Sequence, residues 1–222
     1  TSFYLEPEDG GPVVEHKPGQ YISLRLLIDG QEIRRNYSLS AASNGRDYRI
    51  SVKREPGGVA SSALHRMQPG ETLELFAPAG DFPLQPGDKP LVLISGGVGI
   101  TPTLAMLEAA IGTRRPIHFI HCARNAEAHA FRETIDQLAE QHGQLKRYYC
   151  YDEHSGEEQQ PDAIGLLTEA RLDAWLPAER DLDAYFLGPK PFMAAVRRQL
   201  HALGVPAQQA RHEFFGPASA LE

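Results

Sequence analysis

The chain has 222 residues, 41% hydrophobic and 23% charged, with a formal net charge of -7; this is apolar material for two domains rather than a disordered chain, in a field that opposes a nucleic-acid partner. Its two cysteines, Cys122 and Cys150, form no C-x-x-C pair and no thiolate spacing for zinc or an iron–sulfur cluster, so no metal site is expected and a reducing, cytoplasmic setting fits. The longest apolar run, 91–94, falls far short of a membrane span, and the first residues lack the order of a signal peptide, so no membrane partner is expected.

The chain opens directly on strand-like Thr1-Ser2-Phe3-Tyr4-Leu5, which leaves room for an upstream segment on a longer polypeptide. Over 21–77 the apolar residues alternate, with Ile22, Leu24, Leu26 and Ile28 in one stretch and Tyr48, Ile50 and Val52 in another. That is the two-residue period of half-buried strands. Asp29-Gly30, Asn44-Gly45, Pro56-Gly57-Gly58 and Pro69-Gly70 punctuate the runs, as a small antiparallel barrel requires. Residues 1–86 are therefore expected to form an antiparallel β-barrel domain, all-β with one short helix near Leu64.

After Gln85-Pro86-Gly87-Asp88 the period changes. A fully buried strand is expected over 91–95, then a helix over 102–110 with Leu104 and Leu107 inward, and a strand over 117–122. A helix carrying Phe131, Ile135 and Leu138 follows, then a strand over 148–151, a short helix over 168–176 and a strand over 185–187. A helix bearing Phe192, Val196 and Leu200 leads to a last strand over 212–215. Strands alternating with amphipathic helices make parallel βαβ units, so residues 87–222 are expected to be a doubly wound parallel α/β domain. Acidic 152–160, without apolar period, reads as a solvated loop.

Three segments carry chemistry. Ser95-Gly96-Gly97-Val98-Gly99-Ile100-Thr101-Pro102 lies where a buried strand hands over to a helix. Glycines there let backbone N–H groups and the positive helix end approach a pyrophosphate, with Thr101 suited to the N-cap and Pro102 to the first helical position. Pro102 replaces the third glycine of G-x-G-x-x-G, so a purely structural turn stays open. Arg35-Asn36-Tyr37-Ser38 offers a guanidinium for a pyrophosphate, a ring for a flat heterocycle and a hydroxyl for a ring nitrogen; the alternative is a surface strand with an exposed arginine. Gly57-Gly58-Val59-Ala60-Ser61 presents either a second helix N-terminus to phosphate or an ordinary glycine turn with a serine cap. Two anion cradles, one per domain, imply two nucleotides.

Other residues carry less. Arg124 follows the second strand of the α/β half, where an acid commonly meets the ribose hydroxyl; it either receives a 2′-phosphate or is a solvated charge. His118 and His121 fall on opposite strand faces, Cys122 reads as core and Trp175 as the apolar anchor of a helix.

Together these segments identify a resemblance. Pro18-Gly19-Gln20-Tyr21, Arg35 to Ser38, Val52-Lys53-Arg54-Glu55, Gly96 to Pro102, Gly188-Pro189 with Phe192-Met193, and Glu213-Phe214-Phe215-Gly216-Pro217 resemble the ferredoxin-NADP reductase superfamily, most closely the reductase portion of flavohaemoglobins, the nitric oxide dioxygenases. The resemblance implies an FAD-binding barrel joined to an NAD(P)-binding α/β domain, with hydride passing from NADH or NADPH to FAD and electrons leaving singly. Arg35 is then expected on the FAD pyrophosphate, with Asn36 beside it, Tyr37 on the isoalloxazine and Ser38 near N5. Tyr21, Val52, Lys53, Gly58 and Ser61 line the rest of the FAD, with Phe214, Phe215, Gly216 and Pro217 closing it. Gly96, Gly97, Val98, Gly99, Ile100 and Thr101, with Gly188 and Pro189 and with Arg124 near the ribose, hold the dinucleotide. Ser38, Glu213 and Phe215 serve the hydride transfer.

Relatives usually carry Cys before that Gly-Pro, whereas this chain has Leu187. The implied electron acceptor is a haem-globin domain upstream on the same polypeptide, with haem found only there. Two alternatives stand beside it: a free-standing reductase for a diffusing acceptor such as an iron–sulfur protein or oxygenase, and a nucleotide-binding interaction module without turnover.

Overall fold

The computed structural model describes residues 1–153 and 160–213. The first region contains β1 (Ser2–Leu5), β2 (Tyr21–Ile28), β3 (Gln31–Ser38), β4 (Tyr48–Ser51), α1 (Val59–Leu64) and β5 (Glu74–Leu75). Asp29 and Gly30, at φ +50° and +76°, make the two-residue turn whose twist suits a hairpin, and β2 and β3 pair antiparallel across it. The sheets are β3-β2-β5 and β1-β4, tied by a bridge between Leu39 and Ile50. Ile22, Leu24, Leu39, Ile50 and Leu64 are fully buried between them, as the alternating pattern requires.

The second region runs through β6 (Leu91–Gly96), α2 (Ile100–Ala110), β7 (Ile117–Ala123), α3 (Arg132–Gln141), β8 (Leu145–Tyr151), β9 (Ala163–Ile164), α4 (Glu169–Trp175), β10 (Asp183–Leu187), α5 (Lys190–Ala202) and β11 (Ala210–His212). The strands form one six-stranded parallel sheet in the order β11-β10-β6-β7-β8-β9. Both faces are covered: Leu91 and Leu93 pack with Leu104, Leu107 and Ile135, while Val92 and Ile94 pack with Leu172, Val196 and Leu200. Burial on both faces explains why β6 reads as an unbroken apolar run. Among the described residues no helix is long and apolar enough to cross a membrane.

Several boundaries differ from the sequence expectation. α2 begins at Ile100, after a 3-10 turn over 97–99, and its N-cap is Gly99 without a side-chain cap. Thr101 is therefore inside the first turn, where its hydroxyl donates to the Val98 carbonyl at 3.1 Å. Pro102 is tolerated one position further in because early helical N–H groups lack intrahelical acceptors. β8 starts three residues before the expected 148, and two-residue β9 was too short to leave a periodic signal. The last strand is 210–212; of the expected 212–215, residues 214 and 215 lie outside the described residues. β10 begins earlier too, because buried Asp183 is neutralised by Arg115 and Arg211, each at 2.8 Å.

The two regions meet through specific bonds. Arg49 reaches Glu108 of α2 at 2.8 Å, and the other Glu108 oxygen accepts from the Ala42 N–H at 3.0 Å. Tyr185 takes the Gln85 N–H at 2.9 Å while its ring meets Phe82 edge-on. These contacts fix the mouth between β3 and the turn after β6.

Candidate functional site

A cleft of about 340 Å³ opens at that mouth. The first region contributes Arg35, Asn36, Tyr37 and Ser38 from β3, Val52 and Lys53 beyond β4, and Gly58 and Ser61 around α1; the second contributes Val98 and Thr101. Ser51, Glu55, Val59 and Ala60 also line it; Ser51 was not named from the sequence, and the other three were named only as members of their segments, without a role. Their adjacency to Val52, Gly58 and Ser61 was the available signal.

The lining has the chemistry of a site for an anion attached to a flat ring. Arg25 and Arg34 are engaged by Glu32, each at 2.8 Å, whereas Arg35 donates only to the Arg34 carbonyl and, among the described residues, pairs with no carboxylate. Such a guanidinium keeps donors for a phosphate. Tyr37 is half-buried against the barrel core, and burial pushes its phenol upward, with Arg35 opposing, so the ring is neutral. Lys53 lies 3.5 Å from Glu55 in an exposed pair, which holds it loosely.

The serine-cap alternative for α1 is corrected. The cap position is Gly58, without a side-chain cap bond, and the Ser61 hydroxyl donates back to the Gly58 carbonyl at 3.2 Å while accepting the Glu55 N–H at 3.2 Å. A Cβ on Gly58 would stand 2.5 Å from that hydroxyl, so the glycine is what lets the turn close. Tyr21 does not line the cleft; its backbone pairs with Ala79, and its ring lies 3.1 Å from where a Cβ on Gly80 would stand.

The second cradle follows from sheet order. β6 continues to β7 on one side and neighbours β10 on the other, so their carboxyl ends are the topological switch point, where open α/β sheets place ligands. Glycines let those ends meet: a Cβ on Gly99 would stand 2.3 Å from the Leu187 carbonyl oxygen, and one on Gly188 would stand 2.6 Å from the Phe192 ring. Gly96 also packs against Phe192, where a Cβ would stand 3.0 Å from the ring, and Gly97 has φ +54°. Ile100 sends its side chain into the core, whereas Val98 is exposed. Pro189 is the N-cap of α5, whose first N–H groups lack intrahelical acceptors. Leu187 is fully buried.

Arg124 lies just past β7, with its Nε 3.2 Å from Glu153 and both side chains well exposed. Glu153 was not foreseen, and it puts an acid where the sequence offered only a cation. Glu213, just past β11, lines no part of the cleft; burial, then Asp81, pushes its carboxyl above the ordinary range. Phe214, Phe215, Gly216 and Pro217 lie outside the described residues.

Behind the turn is a network the sequence did not disclose. Ser95, immediately before Gly96, is 2.8 Å from the His121 ring. That ring packs 4.4 Å from the His129 ring, and His129 in turn is 2.7 Å from the Tyr151 hydroxyl. Burial drives His121 down to about 3 and His129 to about 2, so both are neutral. Among the described residues, no group of three or more His, Cys, Asp or Glu could hold a metal.

Comparison with known proteins agrees with this two-part geometry. Residues 2–83 match the family described as oxidoreductase FAD-binding domain, and residues 93–198 that described as oxidoreductase NAD-binding domain. A flavohaemoprotein of Pseudomonas putida is 67% identical across the whole chain, which spans only 57% of that relative's length. The flavohaem-like FAD/NAD-binding domain of nitric oxide dioxygenase from Vibrio cholerae superposes with TM-score 0.87 at 37% identity, covering 97% of this chain and 92% of that one. A flavohaemoglobin from Malassezia yamatoensis with bound FAD and haem gives 0.83 at 26% identity, covering 97% and 56%.

Proposed function

Because the chain belongs to the family of flavohaem-like FAD/NAD-binding domains and is an oxidoreductase of that kind, we propose that it is the NAD(P)H-dependent flavin reductase module of a nitric oxide dioxygenase. In this reading it delivers single electrons to a haem-globin domain upstream on the same polypeptide, where the haem resides. Its setting is nitric oxide detoxification in the cytoplasm, and its domains divide as 1–86 and 87–222.

The observation that carries the reading is the shared lining of the cleft, in which Arg35 to Ser38 face Val98 and Thr101 from the turn after β6. FAD, when bound, takes two electrons as hydride and releases them one at a time. The chain's own task is placement. Arg35 would hold the pyrophosphate, Tyr37 the flat ring and Ser38 a ring nitrogen, with Asn36, Val52, Lys53, Gly58 and Ser61 enclosing the remainder. The glycine turn from Gly96 to Thr101, with Gly188 and Pro189 at the start of α5, would hold the dinucleotide at the switch point. Glu213, whose carboxyl is pushed upward by burial and then by Asp81, would adjust the region where nicotinamide approaches, together with Phe215.

Anaerobic addition of NADH to the purified yellow protein is expected to bleach it, and the bleached protein is expected to reduce a separately produced globin domain. A colourless protein that binds NADH without turnover would favour the interaction module. Reduction of an iron–sulfur acceptor in preference to the globin would favour the free-standing reductase.

A further inference from the structure

Cys122 and Cys150 stand in register on the adjacent parallel strands β7 and β8, and neither is in a disulfide. In-register residues of neighbouring strands share a face, with backbones about 4.8 Å apart, inside the Cα separation that disulfides span. Each thiol acts on the other's titration. Arg171 of α4 is held by the Leu166 and Ile164 carbonyls at 2.6 and 2.7 Å, and this brings its guanidinium 3.8 Å from the Cys150 sulfur.

The two sulfurs are not equivalent. Cys122, and then Arg171, lower the Cys150 thiol against the opposing effect of burial, whereas Cys150, and then burial, raise Cys122. In its neutral form Cys150 donates to the Gly165 carbonyl at 3.0 Å. Cys150 is buried, while Cys122 is partly exposed. This is the asymmetry of an attacking and a resolving thiol.

We propose that Cys122 and Cys150 form a reversible thiol–disulfide site, closed by hydrogen peroxide, that weakens dinucleotide binding when oxidised. The Cys150 sulfur attacks one peroxide oxygen, the O–O bond breaks, and Cys150 becomes a sulfenic acid as the first water leaves. The Cys122 sulfur then attacks the Cys150 sulfur, the S–O bond breaks, and the hydroxyl departs with the Cys122 proton as a second water. Two thiols lose two electrons and two protons, and one peroxide becomes two waters.

The coupling to binding rests on the function proposed above. Gly96 of the glycine turn, Cys122 and Cys150 occupy one row across β6, β7 and β8. A bond inside that row ties β7 to β8 beside the glycine turn, so any change in the row's spacing is passed to Gly96, which packs closely enough on Phe192 that a Cβ would stand 3.0 Å from the ring.

The test treats the purified protein with equimolar hydrogen peroxide, then alkylates, maps peptides by mass and measures the KM for NADH. Expected are simultaneous loss of both alkylatable thiols in a monomer two hydrogens lighter, a KM raised severalfold, and recovery of both on adding dithiothreitol. Cys122→Ala is expected to keep its KM under peroxide and to leave a sulfenic acid on Cys150 that dimedone traps; Cys150→Ala should do neither chemistry. Thiols that oxidise independently, bridges only between chains, or an internal bridge that leaves the KM unchanged would overturn the proposal. Absence of NADH turnover in the reduced protein would instead overturn the reductase reading, with the mass map still deciding the thiol chemistry.

Discussion

β3 and β6 both deliver a segment to the site, and they do so by opposite means. All of β6 is buried, whereas β3 buries only its last residue, Ser38. β6 therefore has no side chain to spare and offers backbone at a glycine turn, while β3 offers a guanidinium, a ring and a hydroxyl. A change at the β6 end should damage the fold first, and a change on β3 should damage ligand binding first.

The largest effect is expected at Gly99. A Cβ there would meet the Leu187 carbonyl and the Gly188 N–H at 2.3 and 3.1 Å, all of it backbone, so Gly99→Ala must push the ends of β6 and β10 apart. A loss of about 3 kcal/mol is the scale of such overpacking, visible in thermal melts before any nucleotide is added. Arg35→Ala should leave the melting of flavin-free protein within about 0.5 kcal/mol. It should lower FAD retention by roughly 10- to 100-fold, the worth of charge-assisted phosphate bonds. Reversal of that pattern would break the contrast between the strands.

The same contrast explains what could be read in the sequence. The glycine turn was legible because buried strand, glycines and helix follow one another in the chain, and so was the parallel sheet, whose periods are local. Arg35 to Ser38 remained ambiguous by themselves, because an exposed strand has no pattern that separates ligand contacts from solvated surface; only the resemblance singled them out. The start of α2 was misplaced because Gly99 caps it without a side chain. Tyr21 was expected along the FAD, and its ring lies beside Gly80, outside the lining of the cleft. His129 was invisible because its partners, His121 and Tyr151, come from other elements.

That buried pair of imidazoles yields an acid test confined to the second region. Both rings have folded values well below the ordinary 6.5, so the unfolded chain binds more protons below that pH. Their stabilising contribution is complete above about pH 6.5 and is lost as pH falls toward 3, at roughly 1.4 kcal/mol per pH unit for each ring. Trp175, the lone tryptophan, is stacked on Tyr148 of β8 at 5.2 Å and reports this region by fluorescence. Acid should change its emission at a higher pH in the wild type than in His129→Phe; coincident acid transitions would remove the pair from the account.

The smallest effect is expected where neither strand's logic applies, at Arg124. Its pair with Glu153 is exposed on both sides, so removing it should leave the melt nearly unchanged. Its consequence is for cofactor choice, where we expect NADH to be preferred and NADPH tolerated. A free guanidinium at the end of β7 attracts a 2′-phosphate, and a free carboxylate there repels it. Arg124→Ala should therefore reduce kcat/KM for NADPH relative to NADH by a few-fold, and Glu153→Gln should raise the same ratio. The opposite signs matter more than the size, because a general loosening of the loop would move both variants the same way. If both ratios equal that of the wild type, the ribose end of the dinucleotide lies elsewhere, and the switch point between β6 and β10 is left as the whole of the dinucleotide site.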